Sequence, residues 1–364
     1  MRLKILKGAI IAVTAVLAAL SGPIIVMGAS PEGGDKDITF IDTLFGITMN
    51  GPSLIWTCGF NGAIYHSDDG GRKWAKQDSE TDETLLDITF IDEKNLMACG
   101  QGGTILRTSD MGQKWEKVET PTESSLLKIS FSNTKTGCAV GDQGAVLHTN
   151  NGGKTWTESE VEDETANEDP GDQEEDEMGM LLDEGEAGGG REYILYGVSI
   201  VDDNTGFAVG EFSNFLKTTD GGVTWVNRPL SEAGGKSLFS VYAQSVDRIW
   251  VVGIDGIMLF SGDGGENWRQ VELPVKKHLF AVKFYGKNGY VVGKEGIYLS
   301  SSDGGNSWEQ KDIGAKFYLQ DIDFYEDFGW IVGAHGWVLG TKDKGKNFQI
   351  VRSAPVVVSS IRAR

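Results

Sequence analysis

A short box of the form Ser/Thr-x-Asp-x-Gly-x-x-Trp recurs seven times in this chain of 364 residues, and its period constrains the fold. The boxes are centred on Asp69, Asp110, Asn151, Asp220, Asp263, Asp303 and Asp343, and they end on Trp74, Trp115, Trp156, Trp225, Trp268, Trp308 and Phe348. The steps between successive centres are 41, 41, 69, 43, 40 and 40 residues. A fixed period of this length is typical of a tandem structural repeat. We therefore predict seven copies of one unit, with an insertion in the third step.

A second pattern precedes each box and consists of an apolar run, a glycine-containing loop and another apolar run, as in AVGDQGAVL from Ala139. Two β-rich runs around such a loop predict a hairpin. A strand-like segment comes before the hairpin (residues 85–91, for example), and another follows the box (residues 114–119). Each repeat is then four short antiparallel strands. We predict an all-β chain forming a single seven-bladed β-propeller within residues 37–361.

The box itself is predicted to occupy the turn between the third and fourth strands of each blade. There the Asp or Asn side chain and the Ser/Thr hydroxyl can bond backbone groups, and glycine allows a positive φ. The aromatic residue offers a large apolar face for packing. Asn151 keeps the hydrogen-bonding capacity without the charge, which suits a structural role better than a catalytic one. All fourteen box residues are therefore predicted to be structural.

The N-terminal 30 residues have the composition of an export signal. Arg2, Lys4 and Lys7 precede 23 uncharged residues, from Gly8 to Ser30, as in a secretory signal peptide. The same stretch is long enough to span a bilayer, so an uncleaved membrane anchor is the alternative. Both interpretations predict a periplasmic or extracellular propeller.

These boxes and their order resemble the Asp-box, or BNR-repeat, propellers. A single domain with seven boxes behind an export signal is most similar to the photosystem II stability and assembly factor family and its relatives in non-photosynthetic bacteria, over residues 45–352. The resemblance implies a non-catalytic assembly factor that binds a membrane-protein complex, which in photosynthetic relatives is the photosystem II reaction centre, bound through a basic patch. The loops of this chain are mixed or acidic instead, so a transporter or another envelope protein is an equally open client.

The net charge is −20, and much of the excess of acidic over basic residues lies in one segment. Fifteen Asp and Glu residues, with no Lys or Arg, lie between Glu158 and Ala187. This composition predicts a disordered insertion over residues 158–190, between blades 3 and 4. The overall acidity also argues against a nucleic-acid partner. An apolar island within the insertion gives four candidate partner-binding residues, namely Met178, Met180, Leu181 and Leu182.

The glycine-containing loops are the other candidate binding surface. They are predicted to emerge on the same face as the insertion, and their side chains differ from blade to blade, as in ligand-facing loops on a rigid scaffold. The candidates are Phe60, Gln101, Asp142, Phe212, Asp255, Lys294 and His335. The alternative is that these loops are ordinary solvated turns.

No cofactor, metal or catalytic residue is expected, and we expect a monomer. The four histidines are scattered, and Cys58, Cys99 and Cys138 are interpreted as small buried apolar residues. The alternative function is a secreted glycoside hydrolase of the sialidase type, or a glycan-binding propeller. A sialidase-like site needs an arginine cluster, a Tyr–Glu pair and a separate acid. The ten arginines of this chain do not recur at one loop level.

Overall fold

The computed structural model describes residues 43–164 and 193–352, which form seven sheets. Blade 1 contains β1 (Leu44–Asn50), β2 (Leu54–Gly59), β3 (Ile64–Ser67) and β4 (Ala75–Gln77), and blade 2 contains β5 (Leu85–Phe90), β6 (Leu96–Gly100), β7 (Ile105–Thr108) and β8 (Glu116–Val118). Blade 3 contains β9 (Leu126–Phe131), β10 (Gly137–Gly141), β11 (Val146–Thr149) and β12 (Thr157–Glu158). Next along the chain comes β13 (Glu160–Asp163), followed by β14 (Leu195–Ile200), β15 (Gly206–Gly210), β16 (Phe215–Thr218) and β17 (Thr224–Asn227) of blade 4.

Blade 5 contains β18 (Leu238–Ala243), β19 (Ile249–Gly253), β20 (Met258–Ser261) and β21 (Arg269–Gln270). Blade 6 contains β22 (Leu279–Tyr285), β23 (Asn288–Gly293), β24 (Tyr298–Ser301) and β25 (Glu309–Gln310), and blade 7 contains β26 (Leu319–Tyr325), β27 (Phe328–Gly333), β28 (Val338–Thr341) and β29 (Gln349–Arg352). The helical segments in the described ranges are short 3-10 turns, and none is long and apolar enough to cross a membrane.

The first strands of successive blades contact one another and form a ring around a central channel. Within each blade the four strands pair antiparallel in chain order. The predicted seven-bladed propeller is therefore confirmed. Cys58, Cys99 and Cys138 are buried and free, as the sequence indicated.

Blade 4 departs from the four-stranded pattern because β13 pairs in parallel with β17 and extends its outer edge. The side chain of Asn227 donates to Asp163 Oδ1 at 2.9 Å, and Arg228 lies 2.9 Å from Glu164 Oε1. The sequence predicted disorder from residue 158 onward, and for residues 158–164 this was wrong. Glu158 ends β12 and pairs with β11, whereas residues 160–163 are ordered by pairing with the distant strand β17, which local composition does not record. The rest of the insertion, including Met178, Met180, Leu181 and Leu182, lies outside the described residues.

The ring closes between blades 7 and 1 through contacts of the kind found between other blades. Asp321 and Asp323 accept hydrogen bonds from the backbone N–H groups of Ile47 (3.2 Å) and Met49 (2.9 Å). Trp74 packs edge-on against the Trp330 ring, with centroids 5.7 Å apart. The sequence also has strand-like segments at residues 37–42 and 355–361, and we predict that one of them completes or covers the edge of the ring, but both lie outside the described residues.

The seven boxes form the turns between the third and fourth strands. In every box the Ser/Thr hydroxyl donates to the Asp or Asn Oδ1 at 2.8–3.0 Å. The same hydroxyl accepts from the box glycine N–H at 2.9–3.2 Å. These bonds satisfy the backbone of a tight turn, and they support a structural role for the box.

Candidate partner-binding face

The loops that join the second and third strands of each blade lie on one face of the propeller, which we call the Gly-loop face. Both central residues of each loop have positive φ, as in the two-residue type I′ hairpin. These pairs are Asn61–Gly62, Gly102–Gly103, Gln143–Gly144, Phe212–Ser213, Asp255–Gly256, Glu295–Gly296 and His335–Gly336. The tight turn directs the side chain of the first central residue outward, so sequence differences at this position change the surface and leave the strands intact.

The structure brings all seven loop candidates to this face, in two kinds of position. Phe60, Gln101, Asp142 and Lys294 begin their turns and are half-buried. Phe212, Asp255 and His335 occupy turn tips. Phe212 is 64% exposed, the largest exposed fraction among the large hydrophobic residues described. Phe60 and His335 instead pack on the rings of Phe45 (5.0 Å) and Phe317 (4.9 Å).

A second set of residues on this face was missed by sequence analysis. The second residue of each first strand is skipped in the pairing with the next strand, so that all seven blades carry a β-bulge at the same level. A bulge redirects the side chain of the extra residue. We call the seven bulged residues the bulge ring: Phe45, Leu86, Leu127, Tyr196, Phe239, Phe280 and Gln320. All seven line one open cavity at the mouth of the central channel.

The mouth is asymmetric because the consecutive blades 4, 5 and 6 each carry an aromatic residue of the bulge ring, whereas the fourth aromatic residue, Phe45 of blade 1, is buried. The ring of Phe239 lies 5.2 Å from that of Tyr196 and 5.7 Å from that of Phe280, and Phe280 in turn lies 6.1 Å from Tyr318. These residues are half-buried, so each leaves part of an aromatic face open to solvent. The opposite side of the mouth is lined by Leu86 and Leu127.

A charged triad forms part of the cavity lining. Lys128 Nζ lies 2.9 Å from Asp87 Oδ1 and 3.2 Å from Asp321 Oδ2. Gly46 lies beside Asp87, and a Cβ there would come within 2.8 Å of Asp87 Cα. Although burial opposes the charge on Lys128, the two carboxylates raise the pKa of its ammonium group. Burial raises the pKa of Asp87, an effect that Lys128 opposes. The two carboxylates share one ammonium group and also accept the backbone N–H groups of Ile129 and Ile47, so each charged group has a partner.

The rim between blades 3 and 4 carries two further carboxylates, Asp142 and Glu211. Glu211 accepts hydrogen bonds from the Tyr196 hydroxyl (3.3 Å) and the Ile194 N–H (3.1 Å). Burial, and then the charge of Glu211, raises the pKa of Tyr196. Burial also raises the pKa of Asp142, and Glu211 adds to that rise. Neither carboxylate forms an ion pair with a described residue.

Comparison with known proteins places the chain among the Asp-box propellers. The family model described as photosynthesis system II assembly factor YCF48 matches residues 36–109, 108–170, 190–276 and 266–357. The chain therefore belongs to this family.

Two curated relatives are similar to part of the chain. The photosystem II stability/assembly factor HCF136, chloroplastic, of Arabidopsis thaliana is 31% identical over 85 residues, or 22% of this chain and 21% of the relative. The photosystem II assembly lipoprotein Ycf48 of Synechococcus sp. (strain CC9902) is 33% identical over 81 residues, or 22% and 24%. The chain thus aligns with about a fifth to a quarter of the length of each relative.

Solved structures share the fold at low identity. The structure of YCF48 bound to D1 peptide has a TM-score of 0.63 and 20% identity, covering 83% of this chain and 94% of that one. The GH74 xyloglucanase from Xanthomonas campestris has a TM-score of 0.62 and 12% identity, covering 88% and 56%. Assembly factors and enzymes both share this fold, so the choice between these functions depends on the residues of the site.

Proposed function

We propose that this protein is a non-catalytic extracytoplasmic scaffold that binds a segment of an envelope membrane-protein complex on its Gly-loop face. The observation that carries the proposal is the bulge ring, which places an apolar, partly exposed cavity at the centre of a rigid scaffold. Exposed apolar surface framed by variable loops is typical of interaction sites. The solved structure of YCF48 bound to D1 peptide supports a peptide-like ligand.

The extracytoplasmic setting is part of the same proposal. It rests on the basic and then apolar N-terminal 30 residues, which suit an export signal or a membrane anchor. The curated relatives named as chloroplastic and as a lipoprotein are consistent with that setting. The client is a photosystem-like or transporter-like complex, and we expect the propeller to bind it as a monomer.

A glycoside hydrolase is the second candidate, because GH74 enzymes share the fold. The carboxylates of the channel do not favour it, since Asp87 and Asp321 are both bound by Lys128. The Tyr196–Glu211 pair resembles a tyrosine nucleophile with its activating carboxylate, but no arginine of the described residues lines the cavity beside it, as a sialidase-like site requires. We expect no turnover of chromogenic sialosides, xylosides or glucosides.

The proposal is tested by capturing a client from detergent-solubilised membranes with residues 31–364 and with variants matched for stability. Phe239→Ser with Phe280→Ser should abolish recovery of a specific membrane protein. Tyr285→Ser is the control, because Tyr285 ends its first strand, away from the Gly-loop face, and is 38% exposed. Equal recovery by both variants, or glycoside turnover that Glu211→Gln removes, would overturn the proposed function.

A further inference from the structure

The rim carboxylates differ in how they are neutralised. Four Gly-loops carry an acidic residue at one of their first two positions: Asp142, Glu211, Asp255 and Glu295. Lys277 pairs with Glu295, whereas His278 Nδ1 accepts the Asp255 N–H, and burial lowers the pKa of His278, so the imidazole gives Asp255 no counter-charge near neutral pH. Asp142 and Glu211, on the adjacent loops of blades 3 and 4, have no cationic partner in residues 43–164 and 193–352. Among the described residues, this part of the rim therefore holds two carboxylates on adjacent loops without a counter-charge.

The rim around these two carboxylates is continuous with the apolar mouth. Tyr196 belongs to the bulge ring, donates its hydroxyl to Glu211, and contacts the Phe239 ring at 5.2 Å. Phe212 follows Glu211 in the same loop and is 64% exposed, so its face is open to a guanidinium or ammonium group. One ligand can thus reach aromatic surface and carboxylates at the same time.

Partial burial makes the lack of a counter-charge costly. Burial raises the pKa of Asp142, and repulsion from the Glu211 carboxylate on the neighbouring loop adds to that rise. A cation placed between them removes that repulsion and forms charge-assisted hydrogen bonds. Charge complementarity at this rim therefore favours a basic group over a neutral or acidic one.

We propose that the mouth binds an extended client peptide that inserts an apolar side chain among the aromatic residues of the bulge ring and presents an adjacent Lys or Arg to Asp142 and Glu211. This inference rests on the proposed function and adds the chemistry of the recognised segment. Arginine fits better than lysine because its planar guanidinium offers several donors to carboxylates and can also stack on an aromatic ring such as that of Phe212.

Fluorescence anisotropy with three labelled, C-terminally amidated heptapeptides tests the inference: Gly-Ser-Phe-Arg-Phe-Ser-Gly, the same peptide with Glu for Arg, and the same peptide with Gly for both Phe residues. The first should bind about ten-fold more tightly than either of the others. Asp142→Asn with Glu211→Gln should reduce the Arg-over-Glu preference to less than about two-fold. Glu295→Gln, whose loop carboxylate is already paired with Lys277, is the matched control and should keep the preference.

Equal binding of the Arg and Glu peptides, or no binding of any peptide, would overturn this inference. A different result would overturn the proposed function, namely capture of the membrane client by the double variant Phe239→Ser with Phe280→Ser. If client capture depends on the bulge ring but not on Asp142 and Glu211, the scaffold function stands and the basic recognition element is wrong.

Discussion

The box glycines are constrained by the neighbouring blade as well as by their own backbone. Their φ values lie between +72° and +94°, as the turn chemistry predicted. A Cβ at any of the seven would also come within 2.0–2.8 Å of a side chain in the preceding blade, such as Trp330, Gln77 or Met97. The sequence pattern predicts the turn but cannot predict this contact, because the partner lies one repeat away. Each box is therefore also an inter-blade contact.

Trp115 shows how that contact stabilises the ring. Its side chain is 1% exposed, and its Nε1 donates to Gln77 Oε1 of blade 1 at 3.0 Å. We predict that Trp115→Ala lowers the free energy of unfolding by about 3–5 kcal/mol, measured by urea denaturation. Phe212→Ala, at an exposed tip, is the control and should change it by less than about 0.5 kcal/mol. Equal losses from the two changes would contradict the structural role of the box aromatic residue.

The side chains at the box centres differ in whether one or both of their terminal atoms form hydrogen bonds. Asn151 Oδ1 accepts the backbone N–H groups of Lys154 and Thr155, both at 3.1 Å, so an amide can replace the carboxylate there. Asp110 uses only Oδ1, whereas Asp263 Oδ2 also accepts the Asn267 amide at 2.7 Å. We predict that Asp110→Asn barely changes the melting temperature and that Asp263→Asn lowers it, because two amide donors then face each other. A larger loss from Asp110→Asn than from Asp263→Asn would contradict this account.

Low pH should reduce the stability that the box carboxylates contribute. Hydrogen bonds from Asn267 and Ser261 lower the pKa of Asp263 to about 2. A carboxylate whose pKa falls on folding adds stability above its unfolded pKa of about 4, and that stability is lost as pH falls toward 2. Urea midpoints measured between pH 5 and pH 2 should therefore fall less steeply for Asp263→Asn than for the parent protein. Parallel pH profiles would show that Asp263 does not contribute to the acid sensitivity.

At the scale of secondary-structure elements, the hairpins could be predicted from sequence but the bulge ring could not. Alternating apolar residues identify a first strand without showing which residue its partner skips. The only signal was positional: each first strand begins with a buried Leu, and the bulged residue comes next. The same limit applies to β13, whose sequence Glu160–Asp163 has few β-forming residues and is ordered by its pairing with β17.

In the hairpin loop of blade 4, the candidate binding residue Phe212 itself has a strained backbone conformation. Phe212 and Ser213 have φ values of +54° and +63°, where most other loops end in glycine. Such backbone strain costs on the order of 1–3 kcal/mol per residue. We predict that replacing Phe212-Ser213 by Asn-Gly, the preferred type I′ pair, stabilises the protein by about 1–2 kcal/mol and weakens binding of the Arg peptide.

Gln143→Asn is the control for that change, since loop 3 already has Gly144 at its second central position. It should give a smaller gain in stability and leave peptide binding unchanged. A stabilised Asn-Gly variant with full peptide affinity would remove Phe212 from the binding site and leave its strain unexplained by partner binding.

For the molecule as a whole, the structure separates two parts of the acidic insertion that composition does not distinguish. Residues 160–163 extend blade 4, whereas the segment after Glu164 lies outside the described residues. From its acidic residues and the apolar stretch Met178–Leu182, we predict that this segment is a docking strip for a basic client. Replacing residues 165–188 by a short Gly/Ser linker should shift the melting temperature by less than about 2 °C. Replacing residues 160–188 removes β13 as well, and should lower it by several degrees, at roughly 2–4 °C per kcal/mol.

Both replacements should weaken client capture, most strongly at low salt, where acidic residues steer a basic partner over the longest distance. Capture is therefore compared at about 20 and 300 mM salt, spanning Debye lengths from roughly 20 Å to 6 Å. A loss of capture at low salt that disappears at high salt is the result expected of steering by the removed carboxylates. If the 165–188 replacement captures the client as well as the parent protein does at low salt, the docking strip is only a spacer. Client recognition then rests on the bulge ring and the Asp142–Glu211 rim alone.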